Sequence, residues 1–456
     1  MSRQHIVPLA RPVDALLARL ALINDARSTI DAQYYQWNSD AIGYLFLSRL
    51  IEAADRGVTV RLLVDDMKLR TRSKTIASLC LHPNLDIKVF NPWIRRSGAG
   101  MYAFEFLRRF KKLDHRMHNK LAVADGKHAI FGGRNIGADH FGVGDSVNLV
   151  DFDVIMTGGS VSDLSAVFES YWASSNAVHG STLHGTVTST DLAAARNMIA
   201  KELQAGEPIL GSSLESESRW SREHTLKRIE TDDNAIMVIS DSPDVTSETG
   251  PTEVIGSLRR LRDSATEDLV IVTPFLVPSD DDIDAYRKAV ARGVRIRLLT
   301  NSLASNPGTV SNSGFKRSRT ALIQAGVELH ELDFHAKVKP AWETPPNTGR
   351  YLGLHTKLFI VDRKSVVLGS VNLDPRSKFV NTEMGVRVQN PEFAQYASDH
   401  AVSLMAPENS WRVEIEPSGG LRWSNDQEVL RRQPARGFGQ RMVDWILGLL
   451  PIRNYI

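Results

Sequence analysis

Two stretches of the chain carry the same chemistry. His118-Asn119-Lys120-Leu121-Ala122-Val123-Ala124-Asp125 and His355-Thr356-Lys357-Leu358-Phe359-Ile360-Val361-Asp362 both read HxKxxxxD. Each runs through a turn into a second apolar stretch and then a Gly-x-x-Asn, Gly132 to Asn135 and Gly369 to Asn372. One short pattern is weak evidence, whereas two copies with matching flanks are strong. An imidazole beside an ammonium suits phosphoryl transfer. A phosphodiester is an anion that repels nucleophiles, so its site needs positive charge, here Lys120 and Lys357, together with neutral hydrogen-bond donors. One histidine attacks phosphorus and becomes covalently phosphorylated; the other protonates the leaving alcohol and then activates the incoming one. Histidine titrates near neutrality, so two copies can hold opposite protonation states. The scheme requires no metal and no other cofactor.

Spacing nominates the rest of the site. Asn135 and Asn372 lie the same 17 residues past their histidines (118 to 135, 355 to 372) and are candidate donors to phosphate. A carboxylate that accepts the second ring N–H would orient each imidazole. Glu383, in Asn381-Thr382-Glu383-Met384, is expected to serve His355, and Asp153, in Asp151-Phe152-Asp153, to serve His118. Asp125 and Asp362 complete the motif and count among its catalytic residues. They stand at the entrance of two-residue turns, Gly126-Lys127 and Arg363-Lys364, where Asp is favoured, so bracing the hairpin is their expected part. The bland alternative makes all these residues ordinary surface strand positions joined by salt bridges. Duplication argues against it for the two His/Lys pairs, and less so for Asp153.

These side chains need strands to aim them. Apolar runs on both sides of each turn signal a hairpin. His118 and Lys120 are two residues apart, as are His355 and Lys357, so each pair projects from one strand face. Around them the chain alternates. Val13, Leu16, Leu17, Leu20 and Ile23 mark a helical face, Ile30 to Trp37 a strand, Asp40 to Ala54 a helix, and residues 58–64 and 87–90 strands. Strand, helix, strand implies a right-handed parallel unit and an α/β layer. Residues 254–299 begin the pattern again, and Gly57-Val58-Thr59-Val60-Arg61-Leu62-Leu63 is echoed by Gly293-Val294-Arg295-Ile296-Arg297-Leu298-Leu299. That echo lies at an offset of 236 (57 to 293), and the motifs at 237 (118 to 355). A near-constant offset over so long a unit means an internal duplication. The expected fold is two similar α/β/α lobes, residues 1–177 and 234–456, with the site at their interface. Residues 178–233, rich in Ser, Thr and Gly with one helical stretch at 192–203, read as the inter-lobe connection.

Composition narrows the partners. With 456 residues, 42% of them apolar, the chain can build two cores. A net charge of +2 argues against a dedicated nucleic-acid binder, and no nucleic-acid partner is expected. Cys80 is the only cysteine, so no intrachain disulfide forms. No apolar run matches a signal peptide or a spanning helix, so action on lipid would take place from the membrane surface. Two segments are candidates for that contact. Residues 92–117 pair an apolar face with Arg108, Arg109, Lys111 and Lys112, which reads either as a solvated helix or as a contact for anionic head groups. Phe438, Met442, Trp445, Ile446 and Leu449 form one helical stripe flanked by Arg431, Arg432, Arg436 and Arg453, which fits an interfacial helix and a packed terminal helix about equally.

The paired motifs on duplicated lobes resemble the phospholipase D superfamily along nearly the whole chain. Within it the chain is most similar to bacterial cardiolipin synthases of the C type. The stretches that carry this are Asp31-Ala32-Gln33-Tyr34-Tyr35 with Trp37, Arg116 to Lys120, Gly132-Gly133-Arg134-Asn135-Ile136-Gly137, Asn372-Leu373-Asp374-Pro375-Arg376-Ser377, Asn381 to Gly385, and Leu421-Arg422-Trp423. The resemblance implies a phosphohistidine intermediate, with His118 and His355 as nucleophile and acid/base, and analogy with the superfamily favours His118 as the nucleophile. It also implies that Ser370 and Asn372 hold phosphate oxygens; the first lobe departs here, since Gly133 takes the place of Ser370. Transfer of a phosphatidyl unit to phosphatidylglycerol, with phosphatidylethanolamine a plausible donor, is the implied reaction. The implied location is bacterial, peripheral on the cytoplasmic side of the inner membrane. The competing readings are a phosphodiesterase or nuclease that uses water, and a catalytically idle membrane-binding protein.

Overall fold

A computed structural model describes residues 4–69, 72–93, 113–223, 227–244, 252–344 and 349–449. The basic helix expected around Arg108 to Lys112 lies outside them. Two mixed sheets carry the same internal order. In the first, the strands run in space Ile229–Thr231, Gln4–Leu9, Asp153–Thr157, His128–Gly132, Lys120–Ala124, Thr29–Tyr34, Thr59–Asp65, Leu85–Phe90, Ala177–His179. In the second they run Ile236–Ser240, Met384–Val388, Ser365–Gly369, Leu358–Val361, Asp268–Val272, Arg295–Asn301, Glu328–Leu332, Ser410–Ile415, Leu421–Ser424, Val429–Leu430. The three strands that alternate with helices are parallel, and the motif hairpins are antiparallel beside them. This is the duplicated α/β arrangement expected.

Local chemistry sets the crossover helices. Ala41–Asp55 starts where the Asp40 side chain accepts the Gly43 N–H, and Asp280–Ala291 starts with a reciprocal Ser279/Asp282 capping box. Each sheet turns one face to its own helices and the other to a core that both lobes share. That central core joins Met117, Leu121, Phe131 and Phe152 to Leu358, Leu368, Met384 and Phe393. Separating the lobes would expose it, so their juxtaposition is fixed by the hydrophobic effect.

Two details differ from the sequence reading. The segment 178–233 is part of the first lobe as well as a connection: it holds a helix of 35 residues, Ser189–Glu223, that buries Ala195, Ile199 and Leu210 against that lobe. Its flanking strands join the first sheet at both edges. Polar composition hid a helix whose apolar stripe is narrow. The turns are also shifted by one residue. Lys127 N–H closes on the Ala124 carbonyl and Lys364 N–H on Val361, both at 3.0 Å, so Asp125-Gly126 and Asp362-Arg363 are the central pairs. All four have φ between 50° and 61°, the pattern of a type I′ turn.

Candidate active site

Each motif strand begins at the lobe interface. The His118 N–H donates to the Thr382 carbonyl (2.9 Å) and the His355 N–H to the Val150 carbonyl (2.7 Å), so each lobe holds the other's histidine backbone. A two-stranded parallel sheet, Val147–Val150 with Tyr351–Leu354, reinforces this junction.

The carboxylates cross in the same way. His118 Nδ1 lies 2.9 and 3.0 Å from the two Glu383 oxygens, and His355 Nδ1 lies 2.6 Å from Asp151 Oδ2. Glu383 therefore orients His118, not His355 as expected. Asp153 orients neither histidine. Its oxygens receive Arg19 (2.9 Å), the Arg134 guanidinium (3.1 Å) and the Arg134 N–H (3.2 Å), all buried. Both expectations failed because they paired residues within a lobe, whereas the interface pairs them across it. Sheet register offered a better signal. Gly132 faces Asp153 and Gly369 faces Gly385, so the residues two places earlier, Asp151 and Glu383, are structural counterparts.

His140 was also missed. The Gln36 backbone N–H donates to Asn135 Oδ1 (3.2 Å), which turns Asn135 Nδ2 towards His140 Nε2 at 3.4 Å. His140 Nδ1, the other ring nitrogen, lies 3.7 Å from Asp151 Oδ2. Its ring packs edge-on against His355 with centroids 4.8 Å apart. Counting from the asparagines, His140 corresponds to Ser377, which donates to Glu383 at 2.6 Å. The second lobe thus serves its carboxylate with two hydroxyls, Ser377 and Ser370, and the first with one imidazole. A side chain at Gly133 has no room, since a Cβ there would lie 2.1 Å from Asp151. Ser370 donates to Glu383 and accepts the Met384 N–H (3.0 Å), which places it behind His118. Asn372 keeps its side-chain oxygen buried without a protein partner.

Lys120 and Lys357 are buried and reach back to the carbonyls of His118 and His355, Lys120 at 2.5 Å. Lys357 Nζ also stands 3.0 Å from His355 Nδ1, and the Tyr35 ring packs edge-on to His118 at 4.7 Å. Asp125 collects the backbone N–H groups of Arg27, Ser28 and Thr29, and Asp362 those of Thr266, Glu267 and Asp268. Both clamp their hairpins to the neighbouring strand, as turn chemistry suggested.

Burial governs the electrostatics. It holds His118 well below the usual histidine value, with Lys120 and Lys357 adding to the effect, and burial with Lys357 does the same to His355. It lifts Glu383 to about 7 and brings Lys357 down to about 8. Burial would lift Asp151 too, yet His355 and Lys357 hold it well below the carboxylate range. Both imidazoles rest neutral, each with the Nδ1 proton on a carboxylate and a lone pair on Nε2. The ligand atoms of His140, Asp151 and His355 all lie within 4.8 Å of one another.

Known proteins resemble the chain along most of its length. The family described as "Cardiolipin synthase, PLD-like domain" matches residues 20–172 and 258–405, one match on each lobe. The chain belongs to that family. Cardiolipin synthase C of Escherichia coli strain K12 is 29% identical over 98% of this chain and 95% of its own. Cardiolipin synthase of Clostridium perfringens strain SM101 is 25% identical over 81% of this chain and 63% of its own. The crystal structure of phosphatidylserine synthase from Haemophilus influenzae Rd KW20 superposes with a TM-score of 0.59 at 13% identity, covering 88% of this chain and 86% of that one, a likeness of fold. As a member of the cardiolipin synthase, phospholipase D-like family, the protein is a phosphatidyltransferase-type enzyme of phospholipid metabolism.

Proposed function

We propose that the protein transfers a phosphatidyl group from one membrane phospholipid to phosphatidylglycerol and so makes cardiolipin. The crossed histidine–carboxylate pairing carries this reading, because it leaves a lone pair on each Nε2 beside two buried lysines. His118, neutral beside a carboxyl near 7, is suited to attack: its Nε2 bonds to phosphorus while the bond from phosphorus to the head-group oxygen breaks. His355 enters this step as the imidazolium, having taken a proton from solvent on Nε2 as the anionic phosphodiester binds. It delivers that proton to the leaving oxygen and returns to neutral, and Asp151, which stays ionised, stabilises the imidazolium form. In the second half, His355 removes the proton from a phosphatidylglycerol hydroxyl, the oxygen attacks phosphorus, and the P–N bond breaks. Lys120 and Lys357 neutralise the phosphoryl oxygens, with Asn135 and Asn372 as neutral contacts.

Phosphatidylethanolamine serves as the donor in this scheme, and the enzyme works from the cytoplasmic surface of a bacterial inner membrane. No helix among the described residues is long and apolar enough to cross a membrane. The test is incubation with isotopically distinct phosphatidylethanolamine and phosphatidylglycerol, followed by mass separation of the products. Cardiolipin containing both labels supports the proposal; phosphatidic acid alone makes the enzyme a hydrolase, and degradation of DNA in a parallel tube would make it a nuclease. Alkaline quenching, which preserves phosphoramidates, should trap the adduct on His118.

A further inference from the structure

The helix Phe438–Leu449 is amphipathic the wrong way round for a packed terminal helix. Its protein-facing side is polar. Asp444, only 3% exposed, accepts from Asn312 (2.7 Å), Lys316 (3.0 Å) and Gln433 (2.9 Å). On the same side Gln440 donates to the Leu303 carbonyl at 2.6 Å, and Arg317 caps the Gly448 carbonyl. The outward side is apolar: Phe438 is 80% exposed, Trp445 63% and Leu449 65%, with Met442, Val443 and Ile446 between them. Half of the large exposed apolar side chains among the described residues stand on these three turns. A soluble surface has no use for such a face, and a contiguous exposed apolar patch marks a contact.

Its location specifies the contact. Ala304 N–H donates to the Pro434 carbonyl (3.1 Å) just ahead of the helix, and Arg436 reaches the Asn306 carbonyl (3.4 Å). The loop at 302–306 continues from strand Arg295–Asn301, and Asn301 holds both the N–H (2.8 Å) and the carbonyl (2.9 Å) of Leu354, the residue before His355. The helix thus starts beside the end of strand Arg295–Asn301 that lies next to His355 in the second lobe. Arg431, Arg432 and Arg436 line its approach. Tryptophan and large apolar groups on one face, with arginines at its border, match the chemistry of an anionic bilayer surface better than that of a protein groove.

We propose that this inverted helix seats the enzyme on an anionic bilayer, with the active-site edge of the second lobe turned towards the lipid. The proposal rests on the lipid-substrate reading above and adds the docking surface. The test compares wild type with a W445S/L449S variant of the full chain by co-sedimentation with vesicles of phosphatidylglycerol and phosphatidylcholine. Both replaced residues are exposed, so the melting temperature should hold. Vesicle binding should fall on the order of tenfold or more, from the lost apolar burial. Turnover of vesicle lipid should fall in step, while turnover of a monomeric short-chain phosphatidylglycerol should not change. Vesicle binding equal to wild type overturns the proposal. A dimer that becomes a monomer in the variant overturns it as well, by giving the face to a second copy. If wild type binds vesicles through this face yet makes no transfer product, docking stands and the transferase reading falls.

Discussion

His355 keeps its Nδ1 2.6 Å from Asp151 Oδ2, while Asp153, two residues on, binds Arg19 and Arg134. Asp151→Asn should lower turnover on the order of 10²–10⁴-fold with little change in melting temperature, because the Phe152 N–H that donates to Asp151 Oδ1 (2.9 Å) would hold the amide oxygen and turn the amide NH2 to His355, imposing the wrong tautomer. Asp153→Ala should do the reverse, costing about 3–5 kcal/mol of stability, since it strands two buried arginines. Measuring both quantities on both variants separates orienting acid from structural acid. The pH profile gives a second check. Lys357 titrates at about 8 in the fold against 10.5 for a free lysine, so it is charged below 8 and loses its hold on phosphate as pH rises through that value. The alkaline limb of kcat/KM should therefore fall near 8, and Lys357→Arg should move it upward. Stability runs the other way between 8 and 10.5, because the unfolded chain binds more protons there. The His/Lys pairs were legible in sequence because their spacing is local. Asp151 and His140 were not, because their partners lie across the interface or across a loop.

At the level of elements, the motif hairpins, parallel units and terminal helix were legible from periodicity, and the long helix at 189–223 was seen only in its most regular stretch. The hairpins hold an untested lever. Arg363 sits in a tight turn at φ 50°, where the first lobe has Gly126 at φ 61°. A side chain with Cβ is strained in the left-handed region, and glycine is not. Arg363→Gly should raise stability by about 0.5–1 kcal/mol, read as a higher melting temperature with unchanged turnover. A lower melting temperature would mean that the long-range pairing of Arg363 with Asp268, 3.6 Å apart, outweighs the backbone strain.

For the molecule as a whole, duplication was plain in the repeated offset, yet the sequence pattern could not show that the copies trade partners. Periodicity reports which residues share a face, and it is silent on which face meets which. The trade makes a prediction about complementation. A mixture of His118→Ala and His355→Ala chains should show no more activity than either alone, because each intact histidine finds its carboxylate within its own molecule and the shared core prevents exchange. Recovered turnover in the mixture would reveal lobes that swap between chains.

The crossed pairs also bear on the order of biosynthesis. When the first 240 residues have left the ribosome, His118 exists but Glu383 does not, and Asp151 waits for a histidine still untranslated. A nascent chain near lipid therefore carries no oriented nucleophile, and the His118–Glu383 pair forms only when strand Met384–Val388, which follows the second hairpin, is in place. The geometry thus ties chemical competence to the folding of both lobes together.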